Sequence, residues 1–305
     1  MTPFNRKHIL STKDLEVSEV EEILASAKSF KEVLSRDIKK VPPLRGKTVI
    51  NLFFEDSTRT KTSFEIAGKT LSADVINISK GGSSVSKGET LLDTARTLEA
   101  MGPNVLVVRS KQSGLPLRLS QALHCSVINA GDGFHEHPTQ ALLDLYTILE
   151  QRPTVAGLRV AIVGDIAHSR VARSNIYLLK KMGAELVLVG PGSLLPKEVE
   201  DFGVTATSDL LEGIRSADVI MVLRIQRERL GLPFFPSNQE YSHFFGIDRE
   251  KLKLCKKDVL ILHPGPVNRG IEISPDVADG SHSLILDQVA NGVALRMALL
   301  YLLAK

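Results

Sequence analysis

Tryptophan is absent from the 305 residues, and cysteine occurs only twice, at Cys125 and Cys255. Two thiols so far apart exclude a disulfide framework and any CxxC zinc clip, and both are expected to be reduced. Neither sign of charge dominates. Against 38 Lys and Arg stand 35 Asp and Glu, a formal net charge of +3, which argues against a nucleic-acid partner and against a membrane surface. Long hydrophobic runs are missing as well: stretches such as Val259–Leu262 are too short to cross a bilayer. The first ten residues carry Arg6, Lys7 and His8 and no apolar core of signal-peptide length. A cytoplasmic chain is expected. What is present is ordinary for a globular protein, 43% hydrophobic and 24% charged residues. The length suggests about two domains of roughly 100–200 residues each.

Short β-branched runs alternate with longer amphipathic stretches. Strands are predicted at Thr48–Phe54, Asp74–Ser79, Val105–Arg109 and Val127–Ala130, with helices at Thr60–Ser72, Glu89–Met101 and Leu115–Leu123 between them. A helix at Thr139–Glu150 and a Pro- and Gly-containing loop follow, and the pattern then starts again. Strands are predicted at Leu158–Gly164, Glu185–Val189, Asp218–Leu223 and Val259–His263, with helices at Ser169–Met182 and near Leu194–Asp201 and an apolar helical tail from Leu284. The strands are mostly apolar, as when helices cover both sheet faces. The fold class is therefore α/β, two doubly wound parallel-sheet domains. Ligands in such sheets bind beyond the C-terminal ends of strands.

The segment Glu55-Asp56-Ser57-Thr58-Arg59-Thr60 links a strand to a helix. Free amides at a helix start, together with Arg59, make an anion site, and Thr62 to Glu65 reads as a capping box. No Walker A glycines accompany it, so the anion need not be a nucleotide. His137-Pro138-Thr139-Gln140 also follows a strand, with Pro138 suited to the first helical position. His137 can hydrogen-bond a carbonyl oxygen and Gln140 an amide. His135 and His137 lack the HExxH spacing, so no metal site is expected. Arg109 ends an apolar strand, and Lys87 lies in a Ser- and Gly-rich loop. In the second half, Gly164 to Arg170 follows a strand but lacks the GxGxxG fingerprint of a dinucleotide site. Arg170 offers a guanidinium fork to a carboxylate. Arg224 and Gln226 follow the next strand, and His263-Pro264-Gly265-Pro266 the last, where a cis X–Pro bond is expected. Each segment alone has a bland reading as a helix cap or a surface turn. Taken together, Arg59, Arg109, His137, Arg170 and Arg224 each lie at or beyond the end of a separate strand.

As a set these motifs resemble the transcarbamoylase family, from Gly46 to the C-terminal helix. Ser-Thr-Arg-Thr at 57–60 and His-Pro-Thr-Gln at 137–140 carry the resemblance, and Arg170, Arg224 and Gln226 resemble the branch that uses aspartate. Ornithine-using members have a His-Cys-Leu-Pro turn where this chain has His263-Pro264-Gly265-Pro266. Two Arg forks also suit the two carboxylates of aspartate.

The resemblance implies transfer of the carbamoyl group of carbamoyl phosphate to the amine of L-aspartate, an early step of pyrimidine biosynthesis, without cofactor or metal. It implies a carbamoyl-phosphate-binding domain over 1–140, with a C-terminal helix at about 286–305 packed back on it. An aspartate-binding domain would span 141–285, and the active site would lie in the cleft between the two. Ser57, Thr58, Arg59 and Thr60 would bind the phosphate. Arg109, His137 and Thr60 would meet the carbonyl oxygen, and Gln140 with the Gly265–Pro266 turn would hold the carbamoyl NH2. Arg170, Arg224 and Gln226 would hold aspartate. Lys87 and Ser83 or Ser84 would come from a neighbouring subunit, giving a homotrimer with shared sites. Glu55 would bridge to Arg170 and Arg229 on domain closure. The resemblance leaves room for a regulatory chain or a dihydroorotase as a further partner. Lys61, where Arg is common, and Gly265, where a bulkier residue is found in some members, depart from the pattern. The rival readings are ornithine or an acylated relative as acceptor, a dinucleotide-dependent oxidoreductase, and a binding or scaffold chain without turnover.

Overall fold

The computed structural model describes residues 4–79, 89–197, 199–225 and 237–304. Its chain divides into two compact units. One runs to Leu143 and takes up the chain again from Val289; the other is Asp144–Gln288.

The first unit opens with helix α1 (Val17–Leu34). A four-stranded sheet follows, built from β1 (Thr48–Phe53), β2 (Asp74–Ser79), β3 (Val105–Ser110) and β4 (Ser126–Asp132) in the order β2-β1-β3-β4. All three pairings are parallel. Helices α2 (Thr58–Thr70), α3 (Leu91–Glu99) and α4 (Leu115–Ala122) make the crossovers, and α5 (Pro138–Leu149) leaves the last strand. Residues two apart on each strand share a face. Ile50 and Leu52 of β1 and Leu106 and Val108 of β3 accordingly pack with Ala95 and Leu98 of α3 and Leu115 and Leu119 of α4. Each such buried aliphatic side chain contributes about 1.5–3 kcal/mol.

The second unit holds β5 (Arg159–Val163), β6 (Glu185–Val189), β7 (Thr205–Thr207), β8 (Val219–Val222) and β9 (Leu260–Leu262) in the order β7-β6-β5-β8-β9, again all parallel. Helices α6 (Arg170–Lys181), α7 (Leu210–Ile214), α8 (Asn238–Phe245), α9 (Arg249–Leu252) and α10 (Pro275–Ala278) flank it. Ala161, Val163, Val187, Val189, Ile220, Val222 and Ile261 form its core with Leu210, Ile214 and Val277.

The final helix, α11 (Ile285–Leu303), is long and apolar enough to span a membrane by length and composition alone. Most of its apolar side chains lie inside the protein: Ala294, Leu295, Met297, Ala298, Leu299 and Leu300 are fully buried. Arg296 on the same helix is also buried. It donates to Ser63 Oγ at 2.9 Å and lies 5.2 Å from the centre of the Phe64 ring.

Several expectations need correction. The helix predicted near Leu194–Asp201 is two short 3-10 turns, Gly192–Leu194 and Val199–Phe202. Pro191 and Pro196 bracket the first of them, and a proline cannot donate within a continuous helix. The Thr62–Glu65 capping box does not form, because α2 begins four residues earlier, at Thr58. Glu65 instead pairs with Lys69 one turn on, at 2.6 Å. Helices α1, α7, α8, α9 and α10 and strand β7 have no counterpart among the sequence expectations.

Candidate active site

In each sheet the strand order reverses direction at one place. In the first it lies between β1 and β3, since β2 was laid down on one side and β3 and β4 on the other. The chain beyond β1 enters α2 through Ser57, whose extended backbone (φ −159°, ψ 94°) caps the helix without a side-chain hydrogen bond. Helix α2 has no acid in its first turn. The positive end of its dipole therefore meets no internal counter-charge there. Thr60 is buried, Ser57 half-buried, and Thr58 and Arg59 are exposed.

Beside it in the sheet, Arg109 is paired in register with Phe53. Its Nη1 donates to the Ala130 carbonyl at 3.0 Å and lies 3.4 Å from His137 Nε2, while Nη2 is 3.7 Å from Glu55 Oε1. Strands β1, β3 and β4 thus each deliver one member of a Glu55–Arg109–His137 chain. His137 directly precedes α5, is buried, and has Thr139 Oγ1 at 3.5 Å from Nδ1. Gln140, also buried, sits in the first turn of α5.

Two acids that sequence reading missed hold the His137 turn. Asp132 is buried and accepts from Asn129 Nδ2 at 2.9 Å, from Gly114 N at 2.7 Å and from Glu136 N at 3.1 Å. His135 Nδ1 lies 3.1 Å away. Burial acts to raise the Asp132 carboxyl, but the hydrogen bonds from His135, Asn129 and Gly114 outweigh it and hold the group below its ordinary value. Glu136, equally buried, accepts from Ser11 Oγ and, at 2.8 Å each, from Thr12 N and Thr12 Oγ1.

The second sheet reverses between β5 and β8. Gly164 directly follows β5 at φ 134°, and a Cβ there would come within 3.0 Å of Leu223 Cβ. Only glycine lets the chain turn away beside β8 at this point. It then reaches Ser169, which caps α6 through Ala172 N at 3.1 Å, and Arg170, the first helical residue, which is buried. Arg224 stands two residues beyond β8 and is half-buried. Both guanidinium-bearing segments therefore flank one switch point. Asp165 is buried with His168 Nδ1 at 2.9 Å; burial pushes its carboxyl up, against the pull of His168. Beyond β9, Gly265 has φ 64° and the Gly265–Pro266 bond is cis. Lys87, Gln226 and Arg229, with Ser83 and Ser84, lie outside the described residues. Both cysteines are free thiols, and no metal-binding group of His, Cys, Asp and Glu is found among the described residues.

Comparison with known families decides what kind of chain carries this geometry. The model of the aspartate/ornithine carbamoyltransferase carbamoyl-P binding domain matches residues 7–150, and that of the Asp/Orn binding domain matches 156–303. The chain belongs to the aspartate/ornithine carbamoyltransferase family. Among carbamoyltransferases of known name, it is 61% identical to the aspartate carbamoyltransferase catalytic subunit of Syntrophus aciditrophicus (strain SB), over 98% of each chain. Aspartate transcarbamoylase from Trypanosoma cruzi, solved in complex with N-(phosphonacetyl)-L-aspartic acid, superposes with a TM-score of 0.88 at 29% identity, covering 98% of this chain and 96% of that one. Ornithine carbamoyltransferase from Pyrococcus furiosus superposes almost as well, with a TM-score of 0.87 at 28% identity, covering 99% and 98%. The carbamoyltransferase fold alone therefore does not select the acceptor.

Proposed function

We infer that this chain transfers the carbamoyl group of carbamoyl phosphate to the amine of L-aspartate, giving N-carbamoyl-L-aspartate and phosphate, a step of pyrimidine biosynthesis. The observation that carries the choice of acceptor is the 61% identity, over nearly the whole chain, to an aspartate enzyme. Two Arg-bearing segments at one switch point support it, because aspartate brings two carboxylates and Arg binds carboxylate in a fork.

The family resemblance assigns the residue roles, and their chemistry supports them. The start of α2, with Ser57, Thr58, Arg59 and Thr60, takes the phosphate on free amides, hydroxyls and one guanidinium. Arg109, His137 and Thr60 donate to the carbamoyl oxygen as it gains charge in the tetrahedral intermediate. Each such donor is worth about 3–4 kcal/mol of barrier. The ion pair of Arg109 with Glu55 and its bond to Ala130 fix the guanidinium before substrate arrives. Gln140 and the Gly265–Pro266 turn hold the carbamoyl NH2, and Arg170, Arg224 and Gln226 hold aspartate. The neutral amine of aspartate attacks the carbamoyl carbon, the C–O bond to phosphate breaks, and the departing phosphate can take the amine proton. Glu55, Arg170 and Arg229 would serve domain closure, which excludes water from the reacting groups. The domain over 1–140, with the helix at about 286–305, would bind carbamoyl phosphate, and 141–285 would bind aspartate.

The working enzyme is a cytoplasmic homotrimer in which Lys87 and a serine of its loop act in the neighbouring subunit's site. A regulatory chain or a dihydroorotase would be an additional partner.

The test is product formation from carbamoyl phosphate with aspartate or ornithine as acceptor. Carbamoyl aspartate with aspartate, and no citrulline with ornithine, is expected. Turnover of ornithine in place of aspartate would sink the assignment.

A further inference from the structure

His263 directly follows β9 in the second sheet, and the turn it opens contains Gly265, which the functional reading gives to the carbamoyl NH2. Neither His263 nor Glu272 has a role in that reading, yet both are buried, at 1% and 0% exposure. Their geometry is directional. The Gly265 backbone N–H donates to His263 Nδ1 at 2.8 Å. A nitrogen that accepts from an amide carries a lone pair, so the ring proton sits on Nε2. Nε2 in turn faces Glu272 Oε1 at 3.2 Å. The same Oε1 accepts from the backbone N–H of Asn268. One carboxylate oxygen thus pins both ends of the 263–268 turn, one of them through the imidazole.

The link continues. Asn268 Nδ2 donates to the Ile225 carbonyl at 3.2 Å, and Ile225 follows Arg224 directly. Behind the turn, His263 N donates to Gln288 Oε1 at 2.9 Å, and Gln288 Nε2 to Asp144 at 2.7 Å. A buried carboxylate without such donors would be strongly unfavourable. Here the acid is retained, and both donors to its accepting oxygen come from the one turn that would touch substrate.

We propose that Glu272, acting through His263 and the Asn268 amide, is the positioning residue that sets the Gly265 turn and the Arg224–Ile225 segment for carbamoyl transfer. This rests on the functional reading of Gly265 and Arg224 given above. Misplacing a substrate-holding carbonyl by about 1 Å costs on the order of 100-fold in rate. Glu272→Ala should therefore lower kcat about 100-fold. Glu272→Gln, which keeps one acceptor oxygen, should restore part of that loss. His263→Ala, which leaves the Asn268 bond to Glu272, should lose no more than Glu272→Ala, and the double variant should be no worse than about threefold below Glu272→Ala.

In the unmodified protein, 15N NMR of the His263 ring at about pH 8 should show a protonated Nε2 and an unprotonated Nδ1. Wild-type kcat in Glu272→Ala, losses that multiply in the double variant, or the opposite tautomer would each overturn the proposal. The NMR measurement needs no variant, so it decides even if Glu272→Ala does not fold. Absence of carbamoyl aspartate with the wild-type enzyme would instead defeat the functional reading, leaving the tautomer result to stand by itself.

Discussion

Arg59 and Arg109 carry the same charge but are built into the protein differently, and their variants should part accordingly. Arg59 is exposed in the first turn of α2, whereas Arg109 is mostly buried and tied to Ala130, His137 and Glu55. Arg59→Ala should lower kcat at least about 100-fold while leaving the thermal midpoint within about 2 °C of wild type, since exposed substitutions cost little. Arg109→Ala should lower both, because it takes a counter-charge away from the buried Glu55 carboxylate. Steady-state kinetics with a melting curve for each variant separates the two cases. Asp132 gives a pH prediction. Its folded pKa is depressed, so it contributes stability above its unfolded pKa and loses that contribution as pH falls through the folded value. Asp132→Asn should therefore be less stable than wild type by about 1–3 kcal/mol at neutral pH. The gap should close below about pH 4. Urea unfolding at several pH values checks this; a gap that stays constant into acid would mean that Asp132 charge is not what holds the turn.

At the scale of elements, α2 packs so closely on its sheet that one methyl is too many. A Cβ at Gly68 would lie 2.5 Å from Val75 Cγ2 of β2. Helix propensity alone favours alanine there by about 1 kcal/mol, but overpacking costs about 1–3 kcal/mol. Gly68→Ala should thus be destabilising in urea unfolding, and a stabilised variant would show that β2 gives way easily. The same scale explains what could be seen in advance. Strands such as Glu185–Val189 and helices such as Leu115–Ala122 are legible because apolar runs and 3.6-residue spacing are local properties. Helix α1 carries the same signal in Val20, Ile23, Leu24 and Ala27, although the sequence expectations do not include it. Strand β7 is three residues long and mostly exposed, with little to mark it. Strand ends gave the positions of Arg59, Arg109, His137, Arg170 and Arg224. Their supports could not be read, because Glu136 with Thr12 and Glu55 with Arg109 are contacts between distant segments, and Glu272 meets His263 across an irregular turn that no helix or strand spacing encodes.

For the whole molecule, the proposed sharing of sites between subunits makes a prediction that no single-chain mechanism does. Suppose Lys87 acts in the site whose Arg59 belongs to the neighbouring chain. An Arg59→Ala trimer and a Lys87→Ala trimer are then both inactive, since every site has lost one group. Exchange of subunits between them creates mixed trimers. A site is intact wherever a chain that keeps Arg59 meets a neighbour that keeps Lys87. In an equal, fully exchanged mixture of closed cyclic trimers that holds for about one site in four. Activity should rise from near zero to about a quarter of wild type, with mixed trimers verified by mass spectrometry of chains carrying different tags. If Lys87 served its own chain, every site in every mixture would still carry a defect. Exchange without recovery would then place Lys87 within its own subunit's chemistry.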